Sequence, residues 1–566
     1  MKKLTSILSI LIILAVSGVA WGATYYVDCN ADPGGDGTTQ ATTGANCAWD
    51  AIADVNGASF SGDDNVLFNK DCTWREQLTV PSSGTSGHPI TFGAYGSGDK
   101  PIINGSTVMS GFETAGSGVW QIACTTEPHI VFFDGIVGTK VGSTGAVDAE
   151  YKWFWNSNVL YVYGGDDGTK DPDTYYTEVE AGSLVHPVGI YDKNYVTING
   201  IHVTKSNNDT FVSGAVHIAG DSVGIQILNC TIDYSYMHNI FVIANPDETV
   251  SEILIQGNTL VFSGGTSIYI GNGTGDLSNV TISKNDIEYA CQLQIEAAHD
   301  TDGAIKLWGD KTYLTDITVE KNYIYRTGRD STGTAIISGP RGVGIWVDEV
   351  LSGTIVRYNK IVDSVNSNIR VERSDGTKLY GNISTGSPES GLGVADCDDV
   401  LSYNNTLYGN AQGIKSDGEA AGGWSQTGNI FKNNISTGNT INLKAVRGGE
   451  NPGGAGAGNI YESNCFGAEA ADFITWGAAT PDTYDAFITV SSQTDNNIEA
   501  DPLFTNAAGG DFTLLPGSPA IGRGQDIAGY GTKLLPGSTW PDDVRTGPCG
   551  NGCDIGAYEF PQWMID

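Results

Sequence analysis

The chain has 566 residues and a formal net charge of −36, with 76 glycines and only 17 % charged residues. A surface this acidic excludes nucleic acid and anionic lipid as charge-attracted partners. The low charge fraction and abundant glycine exclude a disordered chain and point to a turn-rich β protein, and one this long must grow along an axis or split into domains.

Residues 1–23 read as a signal peptide. Lys2 and Lys3 precede an apolar run from Ile7 to Val16, followed by small residues at Gly18, Ala20, Gly22 and Ala23. The run is too short for a stable membrane anchor, and no later segment reads as a membrane span. The expected product is a secreted or cell-surface protein, extracellular or periplasmic, and a monomer. Ten cysteines in an exported chain allow disulfides. Cys29 with Cys47 and Cys549 with Cys553 are the expected pairs. No C-x-x-C spacing suggests structural zinc.

Residues 24–118 read as an N-terminal cap and first coils: Thr24-Tyr-Tyr-Val27 starts a strand, and Pro89 to Tyr95 with Lys100 to Asn104 form an early coil. Such caps cover the strand edges that an open solenoid end exposes. Residues 119–180 change texture. Val131-Phe-Phe-Asp-Gly135, Tyr151-Lys-Trp-Phe-Trp155 and Val159-Leu-Tyr-Val-Tyr163 are aromatic strands between Gly- and Asp-rich turns, which predicts an antiparallel β insertion.

From residue 181 to 446 one phrase recurs: alternating apolar residues, then Asn, then Ile or Leu. It stands as Val196-Thr-Ile-Asn199-Gly-Ile201, Ile225-Gln-Ile-Leu-Asn229-Cys-Thr-Ile232, Ile253-Leu-Ile-Gln-Gly-Asn258-Thr-Leu260 and Val280-Thr-Ile-Ser-Lys-Asn285-Asp-Ile287. It returns around Asn322, Asn359, Asn382, Asn405 and Asn433, at intervals of 23 to 37 residues. A fixed repeat of this length means a solenoid. Alternation within the repeat makes the units strands, and the shortest interval holds about three short strands and three turns. Asn at one turn of every coil is expected to stack in a ladder. The helical segments and dense Leu spacing of leucine-rich repeats are missing. The predicted fold is all-β, a right-handed parallel β-helix with an antiparallel β insertion and terminal caps. These repeats resemble the pectate-lyase-like β-helix superfamily. Residues 447–566, with Asp501-Pro-Leu-Phe504, Gly510-Asp-Phe-Thr-Leu514 and Asp554-Ile-Gly-Ala-Tyr-Glu559, resemble the closing module of exported bacterial β-helix proteins and are expected to be C-terminal coils and a closing or attachment module.

Aligning successive coils places Gly344-Ile-Trp-Val-Asp348 over Asn368-Ile-Arg-Val-Glu372. Ile345, Val347, Ile369 and Val371 face inward, so the alternate residues face outward. Extended along the solenoid, one outward column reads His217, Phe241, Tyr269, Lys306, Trp346, Arg370, Gly393, Lys415. Its neighbour reads Ala219, Ile243, Gly271, Trp308, Asp348, Glu372, Ala395, Asp417. Stacked coils ~4.8 Å apart put the carboxyls of Asp348 and Glu372 roughly 5–6 Å apart, near the spacing of a retaining glycosidase pair. Trp308, Trp346 and Tyr269 suit sugar faces. Lys306, Arg370, Lys415, Asp417 and Arg341 suit hydroxyls or charge tuning. A plain salt-bridge ladder is the bland reading of the same residues.

The Gly-Ile-Trp-x-Asp strand followed one coil later by Val-Glu also resembles the catalytic strands of parallel β-helix β-xylosidases. That resemblance implies Asp348 as nucleophile and Glu372 as acid/base. It departs at Glu349, where an aromatic is expected. The expected substrate is a polysaccharide or oligosaccharide, with the net charge weighing toward neutral glycans. No cofactor is required by this chemistry, and no metal site is assigned. Asp396-Cys397-Asp398-Asp399 is a candidate Ca²⁺ loop but reads more simply as a solvated turn. The alternatives are β-elimination on a uronate glycan, using Lys306 or an arginine among Arg326, Arg329, Arg341 and Arg370, and a non-catalytic carbohydrate-binding or adhesion protein. Scattered His217, His238 and His299 suggest no ligand set.

Overall fold

The structure, a computed structural model, describes residues 22–558 except 166–167, 209–211, 293–301, 310–312, 338, 340, 351–352, 419–424, 447–457, 494–495, 526, 528–532, 535–543 and 546–552. The signal-peptide segment up to residue 21, His299 and Cys549 therefore lie outside the described residues.

Three long parallel sheets form the walls of a parallel β-helix, with 14, 12 and 11 strands among the described residues. A typical coil takes one strand from each. Asp276–Ser283 lies in the first sheet, Asp286–Glu288 in the third and Gly303–Trp308 in the second. Each strand pairs in parallel with its counterpart one coil later, as Val280 with Ile317, Ile287 with Ile324 and Ile305 with Ile345. Inward Ile, Val and Leu from all three walls merge into one continuous core. Each fully buried aliphatic side chain contributes about 1.5–3 kcal/mol, and the stacking repeats that gain coil after coil.

The sharp turn between the first and third sheets carries the asparagine ladder. Asn258, Asn285, Asn322, Asn359, Asn382, Asn405 and Asn434 each donate a side-chain N–H to the next amide oxygen at 2.9–3.1 Å, ending on Asn464. The same oxygen also accepts the donating asparagine's own backbone N–H. The residue before each ladder position is left-handed, as at Lys284, Lys321, Tyr358 and Asn404. This corrects three expected positions, Asn199, Asn229 and Asn433. Asn433 takes the left-handed turn (φ 57°) and Asn434 the ladder. Asn199 and Asn229 bond to each other at the surface instead, and Cys230 occupies the turn below Asn258.

The antiparallel insertion leaves the helix after Asn104 and returns at Val188–Tyr191. Its strands begin at Ser106–Met109, earlier than residue 119, and end at Val179–Gly182. It forms two small sheets around Phe133, Trp153, Leu160 and Val162. Glu180 accepts from Ser106 within the insertion and ties it to the solenoid through Arg75 and Lys205.

Both ends are closed. The Ile52–Gly57 helix buries Ile52 and Val55 against Trp49 and Phe60. At the far end the Tyr484–Ser491 helix, capped by Thr483, buries Tyr484 and Phe487 beside Trp476. The following hairpin, Phe504–Asn506 with Asp511–Leu514, lies along the side of the third sheet, where Phe504 and Phe512 meet Tyr408.

The disulfide expectation is corrected. Cys29 pairs with Cys72, with Cα atoms 5.7 Å apart, because Thr24–Val27 and Asn65–Asn69 are parallel neighbours and both cysteines follow their strands on the same side. Cys47 is a buried thiol donating to the Asp32 carbonyl. Among the described residues no helix is long and apolar enough to cross a membrane.

Candidate active site

The second sheet carries the site. Its register superimposes Tyr269, Lys306, Trp346, Arg370, Gly393 and Lys415 in one outward column. Gly271, Trp308, Asp348, Glu372, Ala395 and Asp417 form the other. Asp348 and Glu372 each end a strand. The next residues, Glu349 and Arg373, turn left-handed at φ 56° and 49° and join in an ion pair at 3.2 Å. That is the structural use of Glu349, where the xylosidase-like strand pattern expects an aromatic.

The two carboxylates have different partners. Lys306, 0 % exposed, donates to Asp348 Oδ2 at 2.7 Å and lies 3.4 Å from the centre of the Trp346 ring. Burial pulls the Lys306 ammonium down to about 8, against the opposing pull of Asp348. Burial likewise pushes the Asp348 carboxyl up, Lys306 draws it back, and Glu372 adds to the rise. Glu372 accepts from Arg370 Nε at 2.9 Å. Its burial raises the carboxyl, but Arg370, Arg373 and Lys306 together outweigh that and leave it below its ordinary value. Trp346 separates the two cations, with the Arg370 guanidinium 5.7 Å from its ring centre.

Trp308, in register with Asp348, is 41 % exposed, an open aromatic face beside the acid pair. On the other side Gly393 and Ala395 leave a shallow floor. Beyond it Lys415 bridges Asp417 at 2.8 Å and Glu389 at 2.7 Å. From Trp308 to Asp417 the row spans four rungs, about 19 Å, room for a few linked sugar rings. Glu389 escaped the column alignment because it stands just before its strand.

Three expected substrate contacts are buried. Tyr269 is buried in a stack with Phe241 and His238, its ring 4.9 Å from Phe241. Trp346 is nearly covered by its two cations. Arg341 is buried near Cys291 and Asp302, before the strand that begins at Val343 and ends at Asp348. Arg326 and Arg329 reach Asp363 at 3.5 and 3.0 Å and brace their own loop. His217 is buried among His186, Tyr191 and Phe241, which drives its ring down to about 3.

Among the described residues the Asp396–Asp399 turn gathers no set of three metal-ligand side chains. Asp398 accepts from Thr427 and Ser425. Among the described residues, Asp28, Cys29 and Cys72 form the one group of three metal-ligand side chains brought together, and the disulfide uses both sulfurs.

Neither a protein-family model nor a curated protein sequence matches this chain. Solved structures do. XylC in complex with xylose is similar in fold, with a TM-score of 0.50, 13 % identity, and 73 % of this chain and 69 % of that chain covered. The chain is a right-handed parallel β-helix. A GH136 lacto-N-biosidase from Eubacterium ramulus aligns at TM-score 0.46 and 16 % identity over 78 % of this chain and 67 % of that chain. Pectate lyase Pel9A aligns at 0.41 and 14 % over 96 % and 98 %.

Proposed function

We propose that this β-helix is an exported, polysaccharide-active enzyme, a retaining glycoside hydrolase whose reacting groups are Asp348 and Glu372. The observation that carries the reading is their placement at one position on consecutive rungs, each with its own cation. Rung spacing puts the carboxyls about 5–6 Å apart, a separation that suits a covalent glycosyl intermediate and leaves no room for an inverting water.

Asp348 attacks the anomeric carbon and displaces the leaving oxygen, which Glu372 protonates. Glu372 then takes a proton from water as that water attacks the glycosyl ester, which frees Asp348. Lys306 suits the first role, because a protonated lysine at 2.7 Å keeps a buried aspartate charged and aimed. Arg370 opposes the second role in the unliganded site, since it holds Glu372 ionised. Substrate hydroxyls drawing Arg370 away would leave Glu372 beside a charged Asp348 and raise its proton affinity.

Two features weigh against elimination on this face. Lys306 is sealed beneath Trp346 and committed to Asp348. Arg370 is held above its ordinary value, chiefly by Glu372 against the opposing pull of burial, so it is no base. The Cys29–Cys72 disulfide suits an oxidising compartment. Product analysis after a glycan screen tests the reading. New reducing ends with retained anomeric configuration support it. Unsaturated sugars absorbing in the near ultraviolet, or inverted products, overturn it.

A further inference from the structure

A second cleft lies on another wall of the solenoid. It has a volume of about 400 Å³ and opens where the C-terminal module overhangs the third sheet. That volume falls within the range of small-ligand pockets. Its floor is built from consecutive rungs: Tyr323 is in register with Lys360, and Thr385 with Tyr408. Its roof is the turn Ala507–Gly510 with Phe512.

Lys360 stands in the wall of this cleft. It is half-buried, yet among the described residues its ammonium has no hydrogen-bond or ion-pair partner, and burial alone pulls it below its ordinary value. Several other part-buried cations of this acidic chain are each matched by a carboxylate. Lys306 has Asp348, Lys415 has Asp417, Arg357 has Glu320 and Lys432 has Glu462. Asp286, the nearest acid of the same column, stands two rungs away beyond Tyr323 and is not part of the cleft wall. An unpaired cation in a half-closed site is a standing electrostatic cost that a ligand carboxylate would relieve. Tyr323 and Tyr408 offer aromatic faces and phenol hydroxyls, and Thr385 a further hydroxyl, the groups that hold a pyranose ring.

We infer that this cleft is a binding site for a carboxylate-bearing sugar, a hexuronate unit, with Lys360 on the carboxylate and the tyrosines against the ring. It is separate from the Asp348–Glu372 face, and the carboxylate specificity does not depend on how that face reacts. The roof makes the site a joint product of the solenoid and its C-terminal module. Gly510 approaches Lys360 so closely that an added Cβ would sit 3.9 Å from the ammonium.

Calorimetric titration of the full chain with D-glucuronic and D-galacturonic acid, each against its neutral hexose and against acetate, tests this. Millimolar binding of a uronate is expected, at least tenfold weaker for the neutral sugar and for acetate. Lys360→Met and Lys360→Gln, checked for unchanged thermal unfolding, should each lose it tenfold or more, while Asp348→Asn binds as the parent does. The inference is overturned if no uronate binds, if hexose or acetate binds equally well, or if both Lys360 variants retain binding. Loss of binding in Asp348→Asn would place the uronate at the acid pair and also overturn it.

Discussion

Asp348 and Glu372 stand directly above one another on neighbouring strands, one held by a buried lysine and the other by a part-exposed arginine. Two acids this close cannot share an environment and keep the same proton affinity. Their cations, on opposite sides of Trp346, give each its own.

Replacing either acid should stop turnover while leaving the solenoid intact. Asp348→Asn and Glu372→Gln are each expected to lower kcat by about 10³-fold or more, with circular dichroism unchanged. Azide separates the roles. With the Ala variant of the acid/base it should restore turnover and give a glycosyl azide of retained configuration. With the Ala variant of the nucleophile the azide product should be inverted. Retained azide from Asp348→Ala would exchange the two assignments.

Lys306 should set the alkaline limit of the reaction. Its ammonium, pulled down to about 8 by burial, loses its proton as pH rises through that value. Asp348 is then left without its counter-charge next to a second carboxylate. The kcat/KM profile should therefore fall above about pH 8. Lys306→Arg should move that limb upward, because a guanidinium stays charged. Lys306→Met should lose most activity, and also stability, because a buried carboxylate loses its partner at a cost of about 3–5 kcal/mol. An unmoved limb in Lys306→Arg would remove the lysine from the titration.

Trp308 should act on binding alone. It is exposed, so Trp308→Ala removes little packing and the melting temperature should stay within a few degrees. Loss of one sugar-stacking face should raise KM roughly tenfold, with kcat nearly kept. A kcat loss with KM unchanged would contradict a ground-state platform.

Glu180 should make the junction of the insertion acid-sensitive. Its burial favours the neutral form, but Lys205, Arg75 and Ser106 outweigh that and hold the carboxyl down to about 2. A depressed carboxyl stabilises the fold fully above its ordinary value of 4.5, and the gain drains away as pH falls from there toward 2. The gap between the two values corresponds to roughly 3 kcal/mol. Glu180→Gln should cost a similar amount in urea unfolding at pH 7. The difference from the parent should close by pH 2, and a difference independent of pH would refute this account.

Much of the helix and of the site row was legible in the residues. Strand alternation fixes which side chains turn outward, and the recurring Asn marks the same turn in each coil. Together they set the register that puts Trp308, Asp348, Glu372 and Asp417 in one line. The ladder failed at Asn433, because Asn433 and Asn434 differ only in which adopts the left-handed backbone, and at Asn199 and Asn229, which bond to each other at the surface. The expected Cys29–Cys47 pair failed because nearness in sequence does not reveal a parallel neighbour.

Period-two alternation and a coil-length repeat are local properties, so the chain alone settled that it winds into a β-helix and which side chains share a rung. Coverage is not local. Whether an outward residue meets solvent depends on segments far away in sequence: Phe241 and His238 hide Tyr269, Trp346 seals Lys306, and Ala507–Gly510 roofs Lys360. Burial governs both proton affinity and access, so the chemistry open to each group was decided only when the coils, loops and C-terminal module came together.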